Sequence, residues 1–366
     1  MKIAFLNNWI YLISFATSAF ITLVGIPLIL RVAKSKNIFD EPNYRSSHST
    51  HVPRLGGIVI FIASVLGLTI WLGDVPFPEL ASIVAALIVL FFAGVKDDIV
   101  GMKPWTKLSM QVLSALLLSL GGKLRIESFY GLFGLESIPF FLTICLTVLV
   151  VVFIINAFNL IDGIDGLAAG LGIIVSFTFA VVFYIVGEYN FVILAFSLIG
   201  SLGAFLFFNF SKKWKIFMGD TGSMILGLFV SIMALKFLNL NNKISLLEIG
   251  FSNLPFLTIL ILFIPIFDTL RVFLIRLYLG KSPFRPDKNH LHHILLKKVS
   301  QKHSKVSIIM YSLNIAPILL GFFVLKSLSL IEASVLFFAY VSLYILCVQI
   351  LVDTRKKDEV KSLENV

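Results

Sequence analysis

The sequence has 366 residues, of which 58% are hydrophobic and 36 are phenylalanines, and its mean hydropathy is +0.98. This composition excludes an ordinary soluble domain and indicates an all-α integral membrane protein with many spans. The formal net charge of +10 fits attraction to anionic lipid and to an anionic substrate, and we expect no nucleic-acid partner. Cys145 and Cys347 both fall in apolar stretches, so the cysteines indicate neither a disulfide framework nor a metal site.

Apolar stretches of the length that a bilayer requires recur along the whole chain. We predict about eleven transmembrane helices, with ten as the alternative count because the fourth stretch contains Gln111 and several serines. The predicted helices cover residues 9–30, 56–73, 79–95, 106–121, 138–155, 167–187, 191–209, 222–239, 254–278, 306–326 and 329–352. Residues 1–352 are interpreted as one polytopic membrane domain, and residues 353–366 as a short charged tail.

Basic residues are distributed unevenly between the loops on the two sides. Alternate loops on one side, together with the C-terminal tail, hold 24 of the 30 lysines and arginines. Because short loops rich in lysine and arginine stay in the cytoplasm, we predict an external N-terminus and a cytoplasmic C-terminus. The polar motifs described next then all lie on the cytoplasmic face.

The first of these loops, residues 31–57, combines histidines, an arginine and a glycine pair. His48 and Arg54 are spaced for hydrogen bonding to phosphate or sugar, and Gly56 and Gly57 permit close backbone approach at the start of the next helix. Histidines in a basic loop are also common as plain surface residues, so this motif alone is a weak signal.

Two adjacent carboxylates, Asp97 and Asp98, follow the third predicted helix. They repel each other unless a cation lies nearby, and oxygen ligands of this kind favour Mg²⁺ or Mn²⁺ over zinc. Lys107, at the start of the fourth helix, can reach back toward a phosphate. The alternative is a solvated acidic turn.

A second acidic motif, Asn156-Ala-Phe-Asn-Leu-Ile-Asp-Gly-Ile-Asp-Gly-Leu167, separates the fifth and sixth predicted helices. We predict that it is a short inter-helix loop, because it is too rich in carboxylate to lie in hydrocarbon. It presents Asn159, Asp162 and Asp165. A solvated turn needs one Asp-Gly pair, whereas this segment has two and also two asparagines, which favours a binding role.

A third acidic residue, Asp220, lies between two glycines at the start of the eighth predicted helix. A helix N-terminus of this kind is a natural position for a metal-bound phosphate. The simpler interpretation is helix capping, by Asp220 itself or by Thr221 or Ser223.

The last large loop on this side, residues 279–305, contains three closely spaced histidines. His290, His292 and His293 could ligate zinc, but the cysteines that usually complete such a site are absent. Together with Arg285 they are better interpreted as an anion-binding face, on a short amphipathic helix along the membrane interface.

One further pair of charges, Asp268 and Arg271, falls within or near the end of the ninth predicted helix. Charged residues at that depth are candidates for function. An ion pair between positions i and i+3 is the simpler account.

Together these motifs resemble those of the polyprenyl-phosphate N-acetylhexosamine-1-phosphate transferase family, glycosyltransferase family 4. The resemblance covers nearly the whole chain and rests on Val95-Lys-Asp-Asp-Ile-Val-Gly101, Asn156-Ala-Phe-Asn-Leu-Ile-Asp-Gly-Ile-Asp-Gly-Leu-Ala168, Phe217-Met-Gly-Asp-Thr-Gly-Ser223 and Pro286-Asp-Lys-Asn-His-Leu-His-His293. The His-Leu-His-His order is similar to that of the bacterial undecaprenyl-phosphate GlcNAc-1-phosphate transferase branch. Leu291 in place of isoleucine, and Lys297 where arginine is frequent, leave the sugar open.

The resemblance implies an Mg²⁺-dependent enzyme, with Mn²⁺ as a possible substitute. It implies transfer of a sugar 1-phosphate, above all GlcNAc-1-phosphate, from a UDP-sugar to undecaprenyl phosphate, with release of UMP. The product would start a cell-surface polysaccharide. The expected setting is the bacterial inner membrane, with the active site on the cytoplasmic face and a homodimer as a possible assembly.

Roles for individual residues are also implied by the resemblance. Asp220 with Asn159 would hold the metal ion against the diphosphate. Asp97 and Asp98 would serve the lipid phosphate as a base, by orientation or by sharing the metal, and Lys107 would contact the diphosphate. The substrate-binding residues implied by the resemblance are Asp165, Arg285, His290, His292 and His293. His48, Arg54 and Asp162 are predicted to bind substrate from their own motifs.

Two alternatives stay open. One is the same reaction with UDP-MurNAc-pentapeptide or another UDP-N-acetylhexosamine. The other is a secondary transporter, which predicts carboxylates near the bilayer midplane and inverted repeats. The carboxylates here cluster in the predicted loops instead, and no repeat is apparent.

Overall fold

The fold is described from a computed structural model of the chain. The structure describes residues 2–36, 52–73, 76–128, 138–240, 253–280, 289–324 and 328–364. Within these ranges the regular elements are all helices, and there is no β-strand. The chain divides into two compact units, residues 1–249 and residues 250–366.

The helices are numbered here in chain order. The first unit contains α1 (Lys2–Ser35), α2 (Gly56–Trp71), α3 (Leu80–Val100), α4 (Pro104–Leu116), α5 (Phe140–Ile161), α6 (Leu167–Ile185), α7 (Tyr189–Asn209) and α8 (Gly219–Leu238). A π-helical turn, Leu117–Gly121, continues α4. The second unit contains α9 (Leu254–Ile261), α10 (Phe263–Tyr278), α11 (Leu291–Lys298), α12 (His303–Phe323) and α13 (Leu330–Glu364).

Each of the eleven predicted membrane segments coincides with helical structure. Among the described residues, seven helices are long and apolar enough to cross a membrane, and an eighth span is added if α9 and α10 count as one. The seven are α1, α5, α6, α7, α8, α12 and α13. The chain is therefore a multi-pass, all-helical membrane protein, as expected. The count of eleven and the orientation of the termini stay predictions.

The ninth predicted span, residues 254–278, is not one straight helix. It breaks at Leu262, where α9 and α10 meet at an angle of 81°. Pro265 has no N–H to donate to the Ile261 carbonyl one turn earlier. The Asn314 side chain replaces that bond, since its Nδ2 donates to Ile261 O at 3.1 Å and its Oδ1 accepts the Ile264 N–H at 3.0 Å.

Helix α8 forms the centre of the first unit and is almost wholly buried. It packs against α2, α3, α5 and α6. The approach at its N-terminal end is close enough to require glycine: a Cβ on Gly57 of α2 would lie 2.1 Å from Gly222 N, and one on Gly94 of α3 would lie 2.4 Å from Thr221 Cα. These contacts bring the ends of α2 and α3 to the first turn of α8.

The second unit contains the short helix that was predicted around the histidines. In α11 the apolar residues Leu291, Ile294 and Leu295 are buried, and the helix packs on α12 and α13. Val299 follows the helix and is exposed. The charged tail predicted from residue 353 continues as part of α13 to Glu364.

Candidate active site

The polar residues of the first unit meet where four helices end or begin. The predicted inter-helix loop of residues 156–167 is shorter than expected, because α5 continues to Ile161. Asn156 and Asn159 therefore lie on the last two turns of a helix, three residues apart and on one face. The loop prediction was wrong for these two residues because asparagine, unlike an ionised carboxylate, is tolerated near a helix end when its amide finds partners.

Gln111 supplies such a partner. The Asn156 Nδ2 donates to Gln111 Oε1 at 2.7 Å, and the Gln111 Nε2 lies 3.4 Å from Asn156 Oδ1. Gln111 is buried in α4. Gln111, which made the fourth predicted helix uncertain, thus connects α4 to α5. The two facing amides satisfy each other's hydrogen-bonding groups inside the bundle.

Lys107, in the first turns of α4, lies at the centre of the acidic residues. Its Nζ is 3.0 Å from Asp97 Oδ2 and 2.7 Å from Asp220 Oδ1. The Lys107 and Asp97 side chains are only 18% and 12% exposed, so this is a partly desolvated charge network rather than a surface ion pair. The structure brings these three predicted residues together, as expected.

Asn159 joins this network. Its Nδ2 donates to Asp220 Oδ1 and, at 2.9 Å, to Ser223 Oγ, while its Oδ1 is 3.5 Å from Lys107 Nζ. Asn159 and Asp220, which the family resemblance implied as joint metal ligands, thus lie in direct contact between α5 and α8. Their metal-binding role stays a prediction.

Asp98 has a different surrounding from its neighbour Asp97. Its two oxygens accept the backbone N–H groups of Asp220 at 2.7 Å and Thr221 at 3.0 Å, and Oδ2 also accepts the Thr221 hydroxyl. The first N–H groups of a helix lack partners within it, so Asp98 caps α8 from another helix. Capping at this helix was predicted, but by Asp220, Thr221 or Ser223, and none of these provides it.

Gly219 makes the cap possible. It has φ of +72°, a conformation that favours glycine. A Cβ at this position would lie 2.7 Å from Asp98 Oδ2 and 2.3 Å from Arg54 O. Any other residue would therefore separate Asp98 from the helix that it caps.

The described end of the first loop lies along the same helix terminus. Phe217 N–H donates to Pro53 O at 2.9 Å, Gly56 N–H to Phe217 O at 3.0 Å, and Gly57 N–H to Met218 O at 2.9 Å. This short backbone pairing places Arg54 beside α8, where its positive charge offsets a small part of the rise that burial causes in the pKa of Asp162. Gly56 and Gly57 thus allow a close backbone approach, as predicted. The group that they approach is the backbone before α8 rather than a phosphate or a sugar.

Asp162 follows the last residue of α5 and lies half-buried among carboxylates. Desolvation raises its pKa to about 7, and the negative charges of Asp220, Asp98 and Asp165 add to the rise. Asp162 therefore titrates near neutral pH, and a bound cation would favour its charged form.

Asp165 lies on the same turn but has its own cation. Its Oδ2 is 2.7 Å from Lys215 Nζ, with both side chains largely buried. Asn209 fastens the turn, since its Oδ1 accepts the Gly166 N–H at 2.7 Å and its Nδ2 donates to Ile216 O at 2.8 Å. Sequence reasoning counted Lys215 only as a basic loop residue and missed Asn209, whose one signal is an amide at the end of an apolar helix.

The histidines belong to the second unit and are considered by themselves. His290 and His292 are buried, at 3% and 0% exposure. The predicted Asp268–Arg271 ion pair is confirmed at 3.0 Å, and Asp268 also lies 2.9 Å from His290 Nδ1. Sequence reasoning missed this histidine partner. His48 and Arg285, both predicted to bind substrate, lie outside the described residues.

The comparisons with known proteins agree with these motifs. A model of glycosyl transferase family 4 matches residues 80–238, the stretch from α3 to α8. A probable undecaprenyl-phosphate N-acetylglucosaminyl 1-phosphate transferase of Bacillus subtilis is 34% identical over 78% of this chain and 76% of its own length. The chain belongs to glycosyl transferase family 4.

Two further relatives of this family cover similar lengths. A decaprenyl-phosphate N-acetylglucosaminephosphotransferase of Mycobacterium leprae is 32% identical over 81% of this chain and 79% of its own length. The undecaprenyl-phosphate alpha-N-acetylglucosaminyl 1-phosphate transferase of Escherichia coli is 28% identical over 73% and 71%. The region matched by the family model contains Asp97, Asp98, Lys107, Asn159, Asp162, Asp165 and Asp220.

The donor atoms decide which metal fits a family 4 site of this kind. In the part of the chain that is described, no three histidine, cysteine or acidic side chains are grouped as a metal site. Asp220 offers a carboxylate oxygen and Asn159 an amide oxygen, and the two side chains are in contact through Asn159 Nδ2. Mg²⁺ commonly binds one or two such groups and completes its coordination with water and substrate phosphates, so these residues fit Mg²⁺.

Proposed function

We propose that this chain transfers GlcNAc-1-phosphate from UDP-GlcNAc to undecaprenyl phosphate. UMP is released, and the lipid diphosphate sugar that forms starts a cell-surface polysaccharide. The names of the relatives support this reaction and this sugar. The geometric observation that carries the proposal is the position of Lys107 Nζ between the carboxylates of Asp97 and Asp220.

The reaction exchanges one phosphoric anhydride for another. An oxygen of the lipid phosphate forms a bond to the sugar-bearing phosphorus of the UDP-sugar, and the bond from that phosphorus to the bridging oxygen breaks. The electron pair leaves with UMP. Because both reactants are anions, catalysis consists mainly of shielding charge and holding the phosphates in line, and Lys107 supplies a fixed positive charge for this task.

The two adjacent aspartates are assigned different tasks. Asp98 has both oxygens bonded to the first turn of α8, so we assign it to orientation: it fixes the helix end that presents Asp220. Asp97 is bonded to Lys107 rather than to backbone. We assign Asp97 to the lipid phosphate, whose approach it would guide through Lys107.

Mg²⁺ is proposed as the cofactor, held by Asp220 and Asn159. When bound, it would neutralise charge on the diphosphate and polarise the phosphorus that is attacked. Asp162, with a pKa near neutral, would complete the negative surroundings of the ion once ionised. Mn²⁺ has similar ligand preferences and is proposed as a substitute.

We place this site on the cytoplasmic face of the bacterial inner membrane. The support is the uneven distribution of lysine and arginine between the two sides of the predicted topology. Cysteines introduced at Lys213 and at Lys123, which the topology assigns to opposite sides, test it. In intact cells we expect an impermeant maleimide to label only the cysteine at position 123.

The direct test of function is release of UMP by the purified protein in lipid. UDP-GlcNAc, UDP-MurNAc-pentapeptide and other UDP-N-acetylhexosamines are each supplied with undecaprenyl phosphate and Mg²⁺. We expect UDP-GlcNAc to react fastest, and no release when lipid phosphate or divalent ion is omitted. A faster reaction with another sugar would correct the substrate. Absence of release with every sugar would reject the transferase and favour the transporter.

A further inference from the structure

Ser223 lies in the first turns of α8, shortly after Asp220, and is 1% exposed. Its hydroxyl has one hydrogen, which is directed at backbone carbonyls of its own helix: Gly219 O lies at 3.0 Å and Asp220 O at 3.4 Å. With that hydrogen committed, the hydroxyl oxygen can only accept from a further partner. The partner that it accepts from is the Asn159 amide, whose Nδ2 lies at 2.9 Å.

The other neighbours of Asn159 impose the same orientation on its amide. Asp220, as a carboxylate paired with a lysine, only accepts hydrogen bonds, and its Oδ1 also accepts from Asn159 Nδ2. The ammonium group of Lys107 only donates, and it lies 3.5 Å from Asn159 Oδ1. Three different partners thus turn the amide nitrogen toward the first turns of α8 and the amide oxygen toward Lys107.

This orientation matters because a cation is bound by the oxygen of an amide and repelled by its NH₂ group. Of the two contacts that hold Asn159 Nδ2, the one to Asp220 uses a carboxylate that the proposed ion would also need. The one to Ser223 uses an uncharged hydroxyl that is already bonded to the helix backbone. Ser223 therefore remains available to hold the amide nitrogen when Asp220 binds a cation.

We propose that Ser223 is a positioning residue for Asn159. By accepting Nδ2–H, it keeps the amide nitrogen away from the cation and presents Asn159 Oδ1 as a metal ligand. This inference rests on the proposed function, which supplies Mg²⁺ as the cofactor held by Asp220 and Asn159. The competing account is that the Ser223 hydroxyl only satisfies backbone carbonyls at the start of α8.

Replacement of Ser223 by alanine removes the acceptor and adds no bulk. The probe is Mn²⁺ alone, titrated into purified protein in zwitterionic nanodiscs without substrate and followed by the electron paramagnetic resonance signal of the free ion. We expect Kd for Mn²⁺ to rise by about 10-fold, the lower end of the usual effect of losing a residue that orients a metal ligand. A Kd within about twofold of wild type would overturn the proposal. Absence of saturable Mn²⁺ binding by wild type would overturn the metal assignment and this inference with it.

Ser231 provides a matched control on the same helix. It is buried, and its hydroxyl donates to Gly227 O at 2.7 Å, the same bond to a glycine carbonyl one turn earlier that Ser223 makes to Gly219. Among the described residues it bonds to no other side chain. We expect Ser231→Ala to keep the wild-type Kd for Mn²⁺. An equal rise in Ser223→Ala and Ser231→Ala would show that any lost serine hydroxyl in α8 suffices, and would reject the positioning role.

A double-mutant cycle tests whether Ser223 acts through Asn159. In an Asn159→Ala background there is no amide to orient, so Ser223→Ala should change the Kd for Mn²⁺ by less than about twofold. If the two rises in Kd multiply instead, Ser223 acts independently of Asn159 and the proposal fails.

Steady-state kinetics provide a second readout that a purely structural role would not separate. In Ser223→Ala we expect the apparent KM for Mg²⁺ to rise by about 10-fold while kcat at saturating Mg²⁺ stays within about threefold of wild type, because a high ion concentration compensates for a poorly held ligand. A loss confined to kcat would overturn the proposal. A wild-type protein whose Mn²⁺ affinity falls as expected in Ser223→Ala, but which releases no UMP, would reject the proposed function alone.

Discussion

The acidic cluster at the start of α8 and the histidine cluster at the start of α11 are both organised by an aspartate that accepts backbone N–H groups from the helix N-terminus. The two clusters differ in the side chain that each aspartate holds in place. At α8 the carboxylate of Asp98 receives the first backbone N–H groups of the helix, and at α11 the carboxylate of Asp268 receives the Leu291 N–H. In both, an aspartate from a different helix caps the N-terminus and so fixes the side chain that begins it. At α8 that side chain is an acid, Asp220, and at α11 it is a base, His290.

The difference lies in what else each carboxylate contacts. Asp98 is bonded to backbone and to one hydroxyl, and glycines press α2 and α3 against the same helix end. Asp268 divides its bonds between backbone, an arginine and a titratable ring. The first arrangement holds the end of a helix, whereas the second also orients a histidine ring. Four predictions test this contrast, and they run from the largest expected effect to the smallest.

Asp220→Asn should have the largest effect on activity. Asp220 is the charge that the α8 arrangement presents, and its loss removes both the Lys107 ion pair and the proposed metal ligand. We expect turnover to fall by about 1,000-fold, as when a main electrostatic group is removed from an active site. The measurement is UMP release over a range of Mg²⁺ concentrations. Unchanged thermal unfolding would show that the fold survives, and near wild-type turnover would reject the metal assignment.

Gly94→Val should have the largest effect on stability. The added Cβ would lie 2.4 Å from Thr221 Cα, which is backbone and cannot move aside. We expect a loss of at least about 3 kcal/mol, or no folded protein. Gly203→Ala in α7 is the control, because a Cβ there meets nothing within 4 Å. If both variants unfold at the wild-type temperature in detergent, α3 and α8 are not as close as described.

Asp98→Ala should show the intermediate effect expected of an orienting residue. It leaves two N–H groups of α8 without their acceptor, and we expect a loss of about 2 kcal/mol in stability, as for other helix caps. Turnover should fall by about 100-fold because Asp220 is no longer held. Thermal unfolding and UMP release are measured on the same sample. A base role would instead give a large loss of turnover with full stability, and would contradict the orienting assignment.

The smallest effect is a dependence of stability on pH that arises from Asp162. Its pKa is raised in the folded state to about 7, above the ordinary value near 4. The folded protein therefore prefers the protonated acid, and stability falls as pH rises from about 4 to about 7. In EDTA we expect the unfolding temperature of wild type to decrease between pH 5 and pH 8. Asp98, whose pKa burial raises to about 6, adds a smaller part of this decrease. Asp162→Asn should therefore show a smaller decrease than wild type, and equal slopes in the two proteins would refute the assignment.

Much of this arrangement followed from short stretches of sequence. The helices were predictable because each needs only a run of apolar residues of sufficient length, and every predicted span coincides with helix. The pair Asp268 and Arg271 was predictable because i and i+3 adjoin on any helix. Errors arose at boundaries, as where α5 carries Asn159 beyond its predicted end, and where Pro265 breaks the ninth span.

The sequence by itself determined the class of molecule and the chemical character of its sites: an all-helical membrane protein with carboxylates, a lysine and histidines between apolar runs. Only the tertiary structure decided which of these groups contact each other and therefore which role each one has. Asp98 meets Asp220 across 122 residues, Asp165 meets Lys215 across 50, and His290 meets Asp268 across 22. Which aspartate caps a helix, which pairs with lysine and which orients a histidine depends on how helices cross, and local sequence does not contain that geometry.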